Sequence, residues 1–138
     1  MKLYLDTSVV LRPLLKQKGV LERWGEWDEA YSSELLSLES RRVIDRLRLD
    51  GGFDDGAVAD VHDSLRSIEE TLGIVRMTRS ILRRAAQPMA TIVRTLDAVH
   101  LATALMLQEH RDTSLVFATH DRQQAVSARA LGFRCIGS

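Results

Sequence analysis

The chain has 138 residues, 45% of them hydrophobic and 28% charged, which fits one globular domain of the usual ~100–150 residues and excludes wholesale disorder. Nineteen basic residues balance nineteen acidic ones, so the chain is no general polyanion binder of the kind whose pI exceeds ~9. Sixteen of the basic residues are arginine, no lysine follows Lys18, and Cys135 is the single cysteine. An intramolecular disulfide and a thiolate metal cage are thereby excluded, and a reducing, cytosolic setting is expected. No run approaches the ~18 apolar residues of a membrane span.

In chain order, residues 2–5 are predicted to form a buried strand ending at Asp6. Residues 7–17 follow as a helix begun on hydroxyl-bearing capping residues. Trp24 and Trp27 lie at helical i, i+3 spacing in a less regular stretch, and 30–32 is a short second strand. Ser33 starts a helix to about Leu49, stopped by Gly51-Gly52. Residues 54–72 read as a polar helix, 74–77 as a strand, and Thr78 caps a helix to about Ala86. Residues 95–109 form the most apolar helix, 114–118 a strand, 122–131 a helix and 134–136 a last strand. Strands alternating with helices imply parallel pairing and a sheet covered on both faces.

In open α/β sheets, ligands bind beyond the carboxyl ends of the strands. Asp6, Asp97 and Asp121 stand at such ends or at the adjoining helix starts, where each could equally cap a helix. Glu39 lies inside the second helix. At about 100° per residue, Leu36, Val43 and Leu47 share an inward stripe, and Glu39 falls roughly 60° from Leu36, on the edge of that stripe. A carboxylate there needs a cationic partner. Several carboxylates meeting in one pocket would repel one another. An oxygen-rich site without thiolates suits Mg²⁺ or Mn²⁺.

These residues resemble a known family. Leu3-Tyr4-Leu5-Asp6-Thr7-Ser8, the run from Ser33 to Arg42 with its acid at Glu39, Leu96-Asp97-Ala98-Val99-His100-Leu101-Ala102-Thr103-Ala104, and Ala118-Thr119-His120-Asp121 are similar to the four motifs of PIN-domain ribonucleases. The likeness is closest to the small toxins of bacterial VapBC toxin–antitoxin pairs. It covers essentially the whole chain, residues 1–138, as one domain. One departure is polar Arg122-Gln123-Gln124, where the family often has an apolar residue.

The resemblance implies a three-layer α/β/α fold around a mostly parallel sheet of four to five short strands. It also implies that Asp6, Glu39, Asp97 and Asp121 hold one or two Mg²⁺ or Mn²⁺ ions, whose activated water hydrolyses RNA and leaves a 5′-phosphate. Ser8 and Thr119 would orient carboxylates. Arg42 and His120 are candidate substrate contacts, whereas His100 is expected to be packed and hydrogen-bonded. The implied partners are RNA, a second copy of the chain, and a VapB-like antitoxin docking along the early helices.

Other chemistries fit less well. A haloacid-dehalogenase-like phosphatase needs Asp-x-Asp, but Ser8 holds the second position. Such phosphatases and receiver domains usually also use a late lysine, and no P-loop is present. The four histidines are too scattered for zinc. A PIN-like binding module without turnover is the alternative reading. Clusters at Arg41, Arg42, Arg46 and Arg48 and at Arg76, Arg79, Arg83 and Arg84 are candidate phosphate contacts.

Overall fold

The computed structural model describes residues 1–138. Its elements are β1 (Lys2–Leu5), α1 (Thr7–Leu14), β2 (Glu29–Ser33), α2 (Glu34–Leu49), α3 (Asp55–Glu70), β3 (Gly73–Val75), α4 (Arg79–Ala85), α5 (Thr95–Arg111), β4 (Val116–Ala118), α6 (Arg122–Ala130) and β5 (Arg134–Ile136). The five strands form one sheet in the order β3-β2-β1-β4-β5, and every pairing is parallel. Chain order reverses between β1 and its neighbour β4. The carboxyl ends of these two strands therefore flank the switch point where α/β sheets open a ligand crevice.

The period-2 alternation of the short strands divides the core between two faces. Tyr4, Tyr31, Leu115 and Phe117 point to one face and pack with Leu101, Ala104 and Leu107 of α5 and Ala128 of α6. Leu3, Leu5, Ala30 and Ala118 point to the other, against Val9 and Val10 of α1 and Leu36 of α2. Trp24 and Trp27 are half-buried against this second cluster, with their rings edge-on at 5.0 Å. They lie outside any helix, so the i, i+3 spacing reflects core packing rather than a helical face.

The observed boundaries differ from the sequence reading where side chains claim backbone groups. α1 ends at Leu14 rather than at residue 17. Lys16 takes a left-handed φ of 54°, and the Gln17 and Lys16 amides donate to the Arg12 and Pro13 carbonyls at 2.8 and 3.3 Å, a double C-terminal cap. β3 stops at Val75 because the Met77 amide donates instead to Glu34 Oε1 (2.6 Å). It begins at Gly73, where an added Cβ would lie 2.5 Å from the Tyr31 ring. β4 starts only at Val116, since the Leu115 amide is taken by the Gln108 side chain at 2.9 Å.

The inward stripe of α2 is also rotated from the expected one. Leu35, Leu36, Ser40 and Ile44 are buried, while Val43 and Leu47 are only half-buried. Ser40 Oγ has no hydrogen-bond partner although it is enclosed. A buried hydroxyl left unpaired is destabilising by about 1–3 kcal/mol. Ser40→Ala is therefore expected to stabilise the fold by about 1 kcal/mol, read as a higher urea midpoint at unchanged slope.

Candidate active site

The crevice is assembled from residues that follow β1 and β4 and from the facing sides of α2 and α5. Asp6 directly follows β1, and its amide donates to the Ala118 carbonyl of β4 at 2.9 Å. It stands at the N-cap of α1 without making a side-chain cap bond. Instead its Oδ2 accepts from Ser8 Oγ (2.8 Å) and Thr119 Oγ1 (2.7 Å). The two hydroxyl oxygens in turn accept the His120 and Asp121 amides at 2.9 and 3.0 Å. Ser8 and Thr119 thus tie the loop after β4 to the buried Asp6 carboxylate.

Asp97 sits in the first turn of α5, whose N-cap is Arg94 and carries no side-chain cap. Burial raises its carboxyl above the usual range, helped by the anions of Asp6 and Asp121. Asp121 does cap its helix, with Oδ1 accepting the Gln124 amide at 3.1 Å. Asp121, Asp97 and Glu39 line one open cleft together with Arg94, Thr95 and Leu96.

Glu39 is drawn in from α2. Its Oε1 accepts from Thr7 Oγ1 (2.7 Å) and meets His100 Nε2 at 2.8 Å. Burial alone would push its carboxyl up, but the bonds and charge of His100 and the Thr7 hydroxyl outweigh it, so the carboxyl lies below its usual value. The partner demanded by a carboxylate on a core-facing edge is thus His100, itself 1% exposed. The polar run after Asp121 also has a role: Gln124 is buried, and its amide donates to the Asp97 carbonyl at 3.0 Å, tying α6 beneath the cleft.

The two proposed substrate contacts separate. Arg42 stands at the rim, with Arg46, Leu38 and Leu96 in the groove beside Glu39, and is paired to Asp45 at 3.2 Å. His120 turns its ring away from the acids, with Nδ1 2.7 Å from the Gly137 carbonyl. Both arginine clusters are partly neutralised. Arg41 forks onto Glu69 at 2.9 and 3.0 Å, Arg48 pairs with Asp45, and Arg84 with Glu109. The sequence reading passed over Arg94, which is highly exposed and 4.0 Å from Asp97. It also passed over Thr7, whose only sequence signal was its place next to Asp6.

The donor set fits a hard divalent cation. It consists of carboxylate oxygens with no lysine among them, and Asp97 is held against its own ionisation by burial and, after that, by its acidic neighbours. No three His, Cys, Asp or Glu side chains stand close enough together to hold a metal ion by themselves, so a Mg²⁺ ion here would take one or two carboxylates and complete its shell with water and phosphate oxygens.

A five-stranded parallel sheet with carboxylates gathered at its switch point defines an α/β protein with an acidic cleft at the carboxyl ends of its strands. The PIN domain family matches residues 3–130, and the chain belongs to it. It is 25% identical to Ribonuclease VapC47 of Mycobacterium tuberculosis (strain CDC 1551 / Oshkosh), over 95% of this chain and 93% of that protein. Among solved structures, the fold is shared with FitAcB from Neisseria gonorrhoeae, with a TM-score of 0.71, 22% identity, and 99% of this chain and 96% of that one covered. It is shared too with a toxin–antitoxin complex from Klebsiella pneumoniae, with a TM-score of 0.63, 17% identity and 93% of each chain covered.

Proposed function

We propose that this chain is a divalent-metal-dependent endoribonuclease and the toxin of a type II toxin–antitoxin pair. The observation that carries this reading is the gathering of Glu39, Asp97 and Asp121 on one cleft, with Asp6 close enough beneath to raise Asp97. The PIN-domain membership and the name of the mycobacterial relative support it. Residues 1–138 act as a single domain.

Bound there, Mg²⁺ or Mn²⁺ supplies Lewis acidity and a water nucleophile at neutral pH. Asp6, Glu39, Asp97 and Asp121 hold one or two such cations between them, and the hydroxyls of Ser8 and Thr119 keep Asp6 aimed. Arg94 and Arg46, neither closely ion-paired, meet the RNA backbone; Arg42 joins them once released from Asp45, and His120 is more distant from the phosphates.

The test is cleavage of RNA by purified protein with Mg²⁺ or Mn²⁺, with and without chelator. Cleavage that survives the chelator sinks the metal mechanism. If the intact protein cuts no RNA, the binding-module reading takes its place. Replacing Arg94 and Arg46 by Gln is expected to raise KM for RNA several-fold with little change in kcat. It should also flatten the log–log salt dependence by about 0.7 for each phosphate of a single strand that is no longer neutralised.

Partner proteins fit the same face. Leu38 and Leu96 are 56% and 49% exposed beside Glu39, an apolar rim suited to cover by protein. The protein works as a homodimer, and a VapB-like antitoxin docks along α1 and α2 with a basic segment toward the acids. A strictly monomeric light-scattering mass at micromolar concentration counts against the dimer, and a cognate complex with full nuclease activity counts against the inhibitor. The toxin acts in the cytoplasm; no helix of the chain is long and apolar enough to cross a membrane.

A further inference from the structure

Behind Glu39 runs a hydrogen-bonded chain that a carboxylate cluster does not by itself require. Tyr4 Oη lies 2.7 Å from His100 Nδ1, His100 Nε2 lies 2.8 Å from Glu39 Oε1, and Thr7 Oγ1 stands 2.7 Å from Glu39 Oε1 and 3.1 Å from His100 Nε2. Tyr4 and His100 are 0% and 1% exposed. A phenol and an imidazole so deep in a core are destabilising unless each polar atom is bonded.

The carboxylate fixes the direction of the bonds around it. An ionised carboxylate only accepts. Thr7 gives its hydroxyl proton to Glu39, so its oxygen is an acceptor where it meets Nε2. Both neighbours of Nε2 therefore accept, and Nε2 carries the hydrogen. Tyr4 Oη meets the other ring nitrogen, Nδ1, and pins the ring from behind. Both bonds to Glu39 fall on Oε1, which leaves Oε2 for a ligand in the cleft. Asp6 Oδ1 lies 3.7 Å from Nε2, too far for a hydrogen bond, so Asp6 depends on Ser8 and Thr119 instead. The two carboxylates are aimed by independent devices.

We propose that His100 is a positioning residue of the nuclease site: Tyr4 pins its ring through Nδ1, and its Nε2–H holds Glu39 by Oε1 so that Oε2 faces the cation. The proposal rests on the metal-dependent reading above. It gives His100, three residues after Asp97 on the same helix face, a task separate from packing.

The experiment is calorimetric titration of Mn²⁺ into RNA-free protein, comparing wild type, His100→Leu, His100→Gln and Tyr4→Phe, with thermal melts of each. Mn²⁺ affinity is expected to fall about 10-fold or more in His100→Leu. His100→Gln, whose amide donates at a similar reach, should recover to within about 3-fold of wild type, and Tyr4→Phe should fall between. Wild type that binds no Mn²⁺ overturns the metal reading and this inference with it. If wild type binds Mn²⁺ and folded His100→Leu binds it equally well, this inference alone falls. Should His100→Leu fail to fold, Tyr4→Phe decides: it removes the one hydroxyl that pins the His100 ring, and unchanged affinity overturns the inference.

Discussion

Asp97→Asn is expected to cut RNA cleavage at least about 100-fold, close to 2.7 kcal/mol of barrier, while making the metal-free protein more stable. Both signs come from the same placement. Asp97 is half-buried among acids, and burial and the neighbouring charges of Asp6 and Asp121 disfavour its ionised form. No cap bond to its side chain compensates within α5. Asparagine keeps the shape and removes the charge, so the repulsion within the cluster relaxes and the melting temperature of apoprotein rises by about 2–4 °C. A site that functions by gathering like charges is expected to be a weak point of the fold. Mn²⁺ reverses the order. At 100 times its dissociation constant it adds about 2.7 kcal/mol to wild type, and far less to the variant. Scanning calorimetry with and without Mn²⁺ reads both effects. A lower melting temperature for Asp97→Asn apoprotein would show that the carboxylate is a structural hydrogen-bond acceptor and not a member of a strained cluster.

The alternation of strands and helices was legible in the sequence because short apolar runs and capping residues mark each element locally. The order of the strands was not, since it depends on which edges meet. Where strand ends were misread, the cause is a side chain from elsewhere: Glu34 takes the Met77 amide and Gln108 the Leu115 amide; the early end of α1 is instead a local backbone cap at Lys16 and Gln17. On α2 the helical period was right and its phase wrong, because polar Ser40 holds a core position that a hydrophobicity pattern assigns to an apolar residue. The acids stood out by their places at strand ends, and Glu39 by its position on a stripe edge. What Glu39 leans on did not, because His100 is 61 residues away. The arginine clusters show the same limit. Arg41 and Arg84 look free in sequence, yet Glu69 and Glu109 neutralise them from 28 and 25 residues away.

The acids themselves carry no information about aim; the groups behind them do. Ser8 and Thr119, which follow β1 and β4, hold Asp6 across the β1–β4 seam, and Thr7 of α1 and His100 of α5 hold Glu39. On the proposed function, rigidity of that seam is a requirement of the chemistry as well as of the fold.

Phe117→Ala tests this requirement directly and is expected to destabilise the protein by about 3–5 kcal/mol. Phe117 lies on β4, fully buried, with its ring stacked on Tyr4 at 5.3 Å and tilted against Phe133 at 5.7 Å. Removing it opens a cavity beneath the strand that carries Thr119 and Asp121, and no neighbouring side chain is free to fill it. Total stabilities of domains this size are about 5–15 kcal/mol, so the variant is expected to stay folded only at low temperature, with a strongly lowered urea midpoint. Phe117→Leu keeps most of the volume and should lose about 1.5 kcal/mol or less. That milder variant separates fold from site. Tyr4 loses its stacking partner, its hydroxyl is no longer pinned beneath His100, and Mn²⁺ affinity should drop in a protein whose melt is nearly normal. A Phe117→Leu protein that binds Mn²⁺ as wild type does would mean that the aromatic stack supports only the sheet.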